Sequence, residues 1–89
     1  MSYLANVAFS SKAEKYLRKL DKPSRDRILQ AIKKLMQVPP EGDVRLLRGK
    51  SDSMRCRVGD FRIIFQQDHE NDELKIILIH PRGQVYKNL

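Results

Sequence analysis

Eighty-nine residues carrying 18 Lys/Arg against 11 Asp/Glu, with 40% hydrophobic content and a formal net charge of +7, describe one small basic domain over residues 1–89, with no room for a second core. A single cysteine, Cys56, excludes an internal disulfide framework and a cysteine-rich zinc site, which fits a reducing compartment. No apolar run reaches the length of a membrane span and the first residues lack a signal peptide's long apolar centre, so a cytoplasmic protein with a polyanionic partner is expected.

Tyr3 to Phe9 alternates, with Tyr3, Ala5, Val7 and Phe9 on one side, and reads as a first strand. Ser11-Lys-Ala-Glu14 fits a capping box in which Ser11 caps a short amphipathic helix carrying Ala13, Tyr16, Leu17 and Leu20 at i, i+3, i+4, i+7. Asp21-Lys-Pro-Ser interrupts it, and Pro23 suits the first turn of a second helix, whose Ile28, Ala31, Ile32 and Leu35 repeat the spacing until Pro39-Pro40. The lysines and arginines on the remaining helical faces read as solvated surface.

From Asp43 onward the pattern is β: Val44–Leu47, Met54–Val58, Phe61–Gln67 and Leu74–His80, with an acidic loop from Asp68 to Glu73. The order β-α-α-β-β-β-β predicts an α+β domain, with helices on one face of a mostly antiparallel sheet. Charge is uneven along it, +8 over residues 1–67 and −1 over residues 68–89.

Gly59-Asp60 predicts a two-residue hairpin loop of the glycine-first type, which fixes the register: Val58 opposite Phe61, Arg57 opposite Arg62, Cys56 opposite Ile63, Arg55 opposite Ile64. Met54, Cys56, Val58, Phe61, Ile63 and Phe65 then face the core, while Arg55, Arg57, Arg62 and Ile64 share the other face. Arginines directly opposite one another oppose folding, and no acid is evident to answer them. One such arginine splays easily into water with its stem on apolar neighbours. Three on one face, with Arg45 and Arg48 near by, point to an anion site, because guanidinium grips phosphate with a planar fork.

Cys56 alternates with core residues and reads as a small buried hydrophobe. No His/Asp/Glu constellation suits a metal, and no cofactor is expected. Near the end, Pro81-Arg-Gly forms a turn able to aim Arg82, and Tyr86 follows four residues later.

These segments resemble the RelE family of toxins within the RelE/ParE superfamily, from Val7-Ala-Phe-Ser through Tyr86. The similarity rests on Phe9-Ser with the helical hairpin behind it, on Leu47-Arg-Gly49, on Arg55-Cys-Arg57-Val-Gly-Asp-Phe-Arg62-Ile-Ile-Phe, and on Pro81-Arg-Gly-Gln-Val-Tyr-Lys87. It implies the toxin of a type II toxin-antitoxin pair, held by a RelB-like antitoxin, that enters the ribosomal A site and cuts messenger RNA. It also implies catalytic roles for Arg55, Arg57, Arg62, Arg82 and Tyr86. Arg45, Arg48, Lys50 and Lys87 join them as contacts to RNA or ribosome.

Where the best-known members have lysines, this chain has Arg55 and Arg57, and arginine does not exchange protons at any useful pH. Tyr86 is the first candidate for general base, since neighbouring cations favour phenolate, and it is equally suited to stack on a codon base. His80 is the next candidate, set against a structural role at a strand end; His69, in the acidic loop, reads as solvent-facing. Two other functions stay open: a ParE-like gyrase inhibitor without nuclease chemistry, and a non-catalytic RNA- or DNA-binding module.

Overall fold

The computed structural model describes residues 2–47 and 52–82. Its first helix, α1 (Ser11–Lys19), is capped by Ser10 and not by Ser11. The Ser10 hydroxyl accepts the Ala13 amide at 3.1 Å and donates to the Ile77 carbonyl at 2.6 Å, so one side chain both starts the helix and ties it to a distant strand. Glu14 is thereby released from the capping box expected of it and pairs along the helix with Arg18 at 3.4 Å. Helix α2 (Lys22–Leu35) has Pro23 in its first turn and ends before Pro39-Pro40, as its pattern predicts.

The expected first strand is two. β1 (Ser2–Tyr3) pairs with β3 (Gln37–Val38), and β2 (Asn6–Phe9) enters the main sheet. Leu4 separates them by turning into the core at 3% exposure, its amide donating to the Met36 carbonyl at 2.8 Å. Tyr3, read as sharing a side with Val7 and Phe9, is instead 62% exposed. Burying Leu4 outweighs keeping a strict period of two.

The remaining strands are β4 (Asp43–Leu46), β5 (Met54–Val58), β6 (Phe61–Asp68) and β7 (Glu73–Pro81), in the sheet order β2-β7-β6-β5-β4. All neighbours are antiparallel except β2 and β7. Ala13, Ile28, Ile32 and Leu35 of the helices pack with Cys56, Ile63, Phe65, Leu74, Ile76 and Ile79 of the sheet, which leaves the opposite sheet face uncovered by either helix. Among the described residues no helix is long and apolar enough to cross a membrane.

Along β7 the run Ile76-Ile-Leu-Ile79 is resolved by a bulge. Ile64 faces Leu78, but Phe65 faces Ile76, so Ile77 is skipped and lies 36% exposed. Its carbonyl is the one that takes the Ser10 hydroxyl. Below the bulge Gln67 points inward, and its amide donates to the Leu35 and Gln37 carbonyls at 2.9 and 2.8 Å. These bonds satisfy acceptors at the end of α2 that no intrahelical partner reaches.

Candidate functional site

Gly59 adopts φ 54°, and Asp60 does not have positive φ, so the turn is of the glycine-first type. The hairpin register follows as expected, with Arg57 opposite Arg62 and Arg55 opposite Ile64. Since Cys56, Ile63 and Phe65 are buried on the helix side, the arginines between them face outward.

The sheet extends this face into two rows. One runs Asp43, Arg57, Arg62, His80 across β4 to β7; the next runs Arg45, Arg55, Ile64, Leu78. Two arginine pairs therefore stand directly opposite each other, Arg57 with Arg62 and Arg45 with Arg55. Each such pair disfavours the folded state by a few tenths of a kcal/mol up to about 1. The second was hidden in the sequence because the segment joining β4 to β5 is no tight turn and fixes no register.

The expectation that no acid answers the arginines fails at Arg57. Arg57 does have an acid, Asp43, with Nε to Oδ2 at 3.7 Å. The contact is long and both side chains are partly in water, so it ranks with surface pairs that contribute little. Among the described residues neither Arg55 nor Arg62 forms an ion pair. Arg62 is the more unusual of the two: its Nε is buried and has no hydrogen-bond partner among the described residues. A buried donor left unpaired costs about 1–3 kcal/mol, and more when charged.

Arg82 is brought to the same end of the face. Its amide donates to the Asp60 carbonyl at 2.7 Å and its Nη1 to the Gly59 carbonyl at 3.3 Å, holding the side chain along the turn. On the helix side of that turn lies Arg27, whose Nη1 is 3.2 Å from where a Cβ on Gly59 would stand. Arg27 read as solvated surface in the sequence; only the packing of α2 against the hairpin brings it to the tip. Arg45 is exposed at the edge strand. Arg48, Lys50, Tyr86 and Lys87 lie outside the described residues.

The two histidines separate. His80, half-buried, follows Arg62 in the first row, and its Nδ1 is 3.0 Å from the Pro81 carbonyl. His69 is exposed in the turn between β6 and β7, at the far end of the sheet. A cleft of about 600 Å³ near it is lined by Asp52, Asp68, Glu70 and Lys75. Bonds from Asn71, with help from Lys75, hold the Asp68 carboxyl down to about 2. That acidic end repels phosphate and is not the anion site. Cys56 is 3% exposed and burial pushes its thiol up, away from the thiolate a nucleophile needs.

Two helices packed on one face of a mostly antiparallel sheet, with arginines gathered on the other, make a small basic α+β domain with one open cationic face. The family described as "ParE toxin of type II toxin-antitoxin system, parDE" matches residues 7–86. The RelE-RelB complex of the archaeon Pyrococcus horikoshii OT3 is similar at 31% identity and TM-score 0.74, covering 91% of this chain and 98% of that one. The isolated E. coli RelE toxin shares the fold at 22% identity and TM-score 0.75, over 98% and 94% of the two chains. So does the toxin-antitoxin complex RelBE2 of Mycobacterium tuberculosis, at 23% identity, TM-score 0.74, and 92% and 100% coverage. Sequence comparison with curated proteins gives no match. The chain belongs to the RelE/ParE superfamily of type II toxins, with the RelE fold.

Proposed function

We propose that this toxin is a metal-independent endoribonuclease that cuts messenger RNA in the ribosomal A site and so inhibits translation. The observation that carries the reading is Arg62: between Arg57 and His80 on an arginine face, its guanidinium makes no ion pair and its buried Nε no hydrogen bond among the described residues, a charge left for an oxyanion to answer. A phosphodiester at the outer nitrogens of the guanidinium answers that charge and relieves the repulsion between the paired arginines.

Cleavage of this kind needs the 2′-oxygen deprotonated, the pentacoordinate phosphorane stabilised and the 5′-oxygen protonated as it leaves. Arg55, Arg57, Arg62 and Arg82 serve the second need, since negative charge on the equatorial oxygens is greatest in the transition state and a guanidinium cluster favours it over the ground state. Tyr86 serves stacking on a codon base. Arg45, Arg48, Lys50 and Lys87 widen the contact to RNA and ribosome by neutralising phosphates.

The partner that silences it is a RelB-like antitoxin, as in the named P. horikoshii and M. tuberculosis complexes. A groove of about 350 Å³ between α2 and the β4–β5 edge, lined by Arg27, Lys34 and Arg57 with Glu41 and Asp43 around Ala31 and Val58, offers an antitoxin segment an apolar floor and a small excess of positive charge.

A second reading is a ParE-like gyrase inhibitor, favoured by the name of the matching family. Transcripts mapped by primer extension minutes after induction separate the two. Cuts phased to codons within translated messages are expected; intact messages with stalled replication support the gyrase reading instead.

A further inference from the structure

We infer that His80 is a catalytic residue, its Nε2 being the base that takes the 2′-hydroxyl proton; the inference rests on the ribonuclease reading above. The arginines of the face cannot do this, because guanidinium keeps its proton at any useful pH. Asp43 is turned to Arg57, and His69 lies at the far end of the sheet. His80 stands directly across from Arg62, the residue whose unanswered guanidinium calls for the phosphate oxygen.

The bond at the other side of the ring decides which nitrogen is free. Nδ1 lies 3.0 Å from the Pro81 carbonyl, and a carbonyl oxygen only accepts. Nδ1 therefore carries the hydrogen of the neutral ring, and Nε2 holds the lone pair. Ring geometry turns Nε2 away from the backbone, onto the face shared with Arg62. Proline at 81 keeps this arrangement simple, since its carbonyl accepts while the residue has no amide to compete for the ring.

The charged groups nearest the ring by register are Arg62 across the strand pair, Arg57 one strand beyond, Arg82 two residues along the chain, and Asp60 at the turn, whose carbonyl takes the Arg82 amide. The one acid in the row, Asp43, is farthest, on β4. β2 pairs only with Glu73–Ile76, and the helices cover the opposite face, so neither brings a carboxylate to this side.

In the step, Nε2 accepts the 2′-hydroxyl proton as O2′ forms its bond to phosphorus. The P–O5′ bond breaks, its electron pair leaves on O5′, and O5′ takes a proton from water. The products are a 2′,3′-cyclic phosphate and a free 5′-hydroxyl, and the imidazolium returns its proton to solvent.

The test is single-turnover cleavage of messenger RNA on programmed ribosomes by the full chain. His80→Ala and His80→Asn are each expected to lose about 10²–10⁴-fold in rate. Asn keeps a donor for the Pro81 carbonyl, so a purely structural histidine is rescued by Asn, and that rescue overturns the assignment. The wild-type rate climbs along an acidic limb that both variants lose, and added imidazole restores part of the His80→Ala rate. A long-range 1H–15N spectrum of the unmodified protein gives a check free of folding effects: an Nε2–H tautomer overturns the assignment. An inert wild-type protein sinks the nuclease reading and this inference together; an active one matched by an equally active His80→Asn sinks the inference alone.

Discussion

Arg62→Ala is expected to slow messenger-RNA cleavage by about 10²–10³-fold, the loss seen when one donor to a developing oxyanion is removed. The same change is expected to leave the fold as stable as before or about 1 kcal/mol more so. It removes a charge that faces Arg57 directly and deletes a buried donor with no partner among the described residues. The combination is diagnostic, because an arginine kept for structure would lose stability together with activity. Single-turnover rates on programmed ribosomes and thermal melting of the same preparation check both halves. A variant that cleaves at the wild-type rate, or that melts well below it, contradicts the assigned role.

Phe65→Ala is expected to cost about 3–5 kcal/mol of stability, as large-to-small changes of fully buried aromatics do. Phe65 has 0% exposure and sits where the β6–β7 register resumes after the bulge, facing Ile76. For a domain of this size each kcal/mol lowers the melting temperature by about 4–8 °C, so a fall above roughly 12 °C is expected. The effect reaches function through geometry. Arg62 meets His80 and Ile64 meets Leu78 on one side of that irregularity, and Gln67 meets Leu74 on the other, so loosening it loosens the row that carries the site. A melting temperature within a few degrees of wild type contradicts this placement of the core.

Much of this architecture was legible in residue pattern alone, and for a definite reason. Gly59-Asp60 ties register to turn type, so the pairing of Arg57 with Arg62 and the inward set Cys56, Ile63 and Phe65 follow from the residue order alone. The helical spacing of Ile28, Ile32 and Leu35 likewise announced the buried face of α2. Illegible features depend on contacts between segments distant in the chain. Ser10 caps α1 because the bulge at Ile77 offers its hydroxyl an acceptor, which no local motif encodes. Leu4 breaks the first strand because the core has a place for it where its amide meets the Met36 carbonyl.

The same distinction divides the site. Arg55, Arg57 and Arg62 were readable because one tight turn relates them. Asp43 opposite Arg57, Arg45 opposite Arg55 and His80 opposite Arg62 required registers that no tight turn sets. Arg27 at the turn required knowing how a helix packs on the hairpin. Charge alone indicated a polyanionic partner; the rows across four strands turn that general attraction into a located face.

Whether the outward arginines form a prepared seat for a phosphodiester is read from the arginine Nε–H signals in a 1H–15N spectrum. The protein is titrated with a short RNA whose 2′-oxygens are methylated, so that binding proceeds without cleavage. Saturable, concerted movement of the Arg62, Arg57 and Arg55 signals, with no comparable change at equal ionic strength of sodium chloride, is the expected result. An Arg62 signal that stays fixed while exposed lysines alone respond would contradict the account.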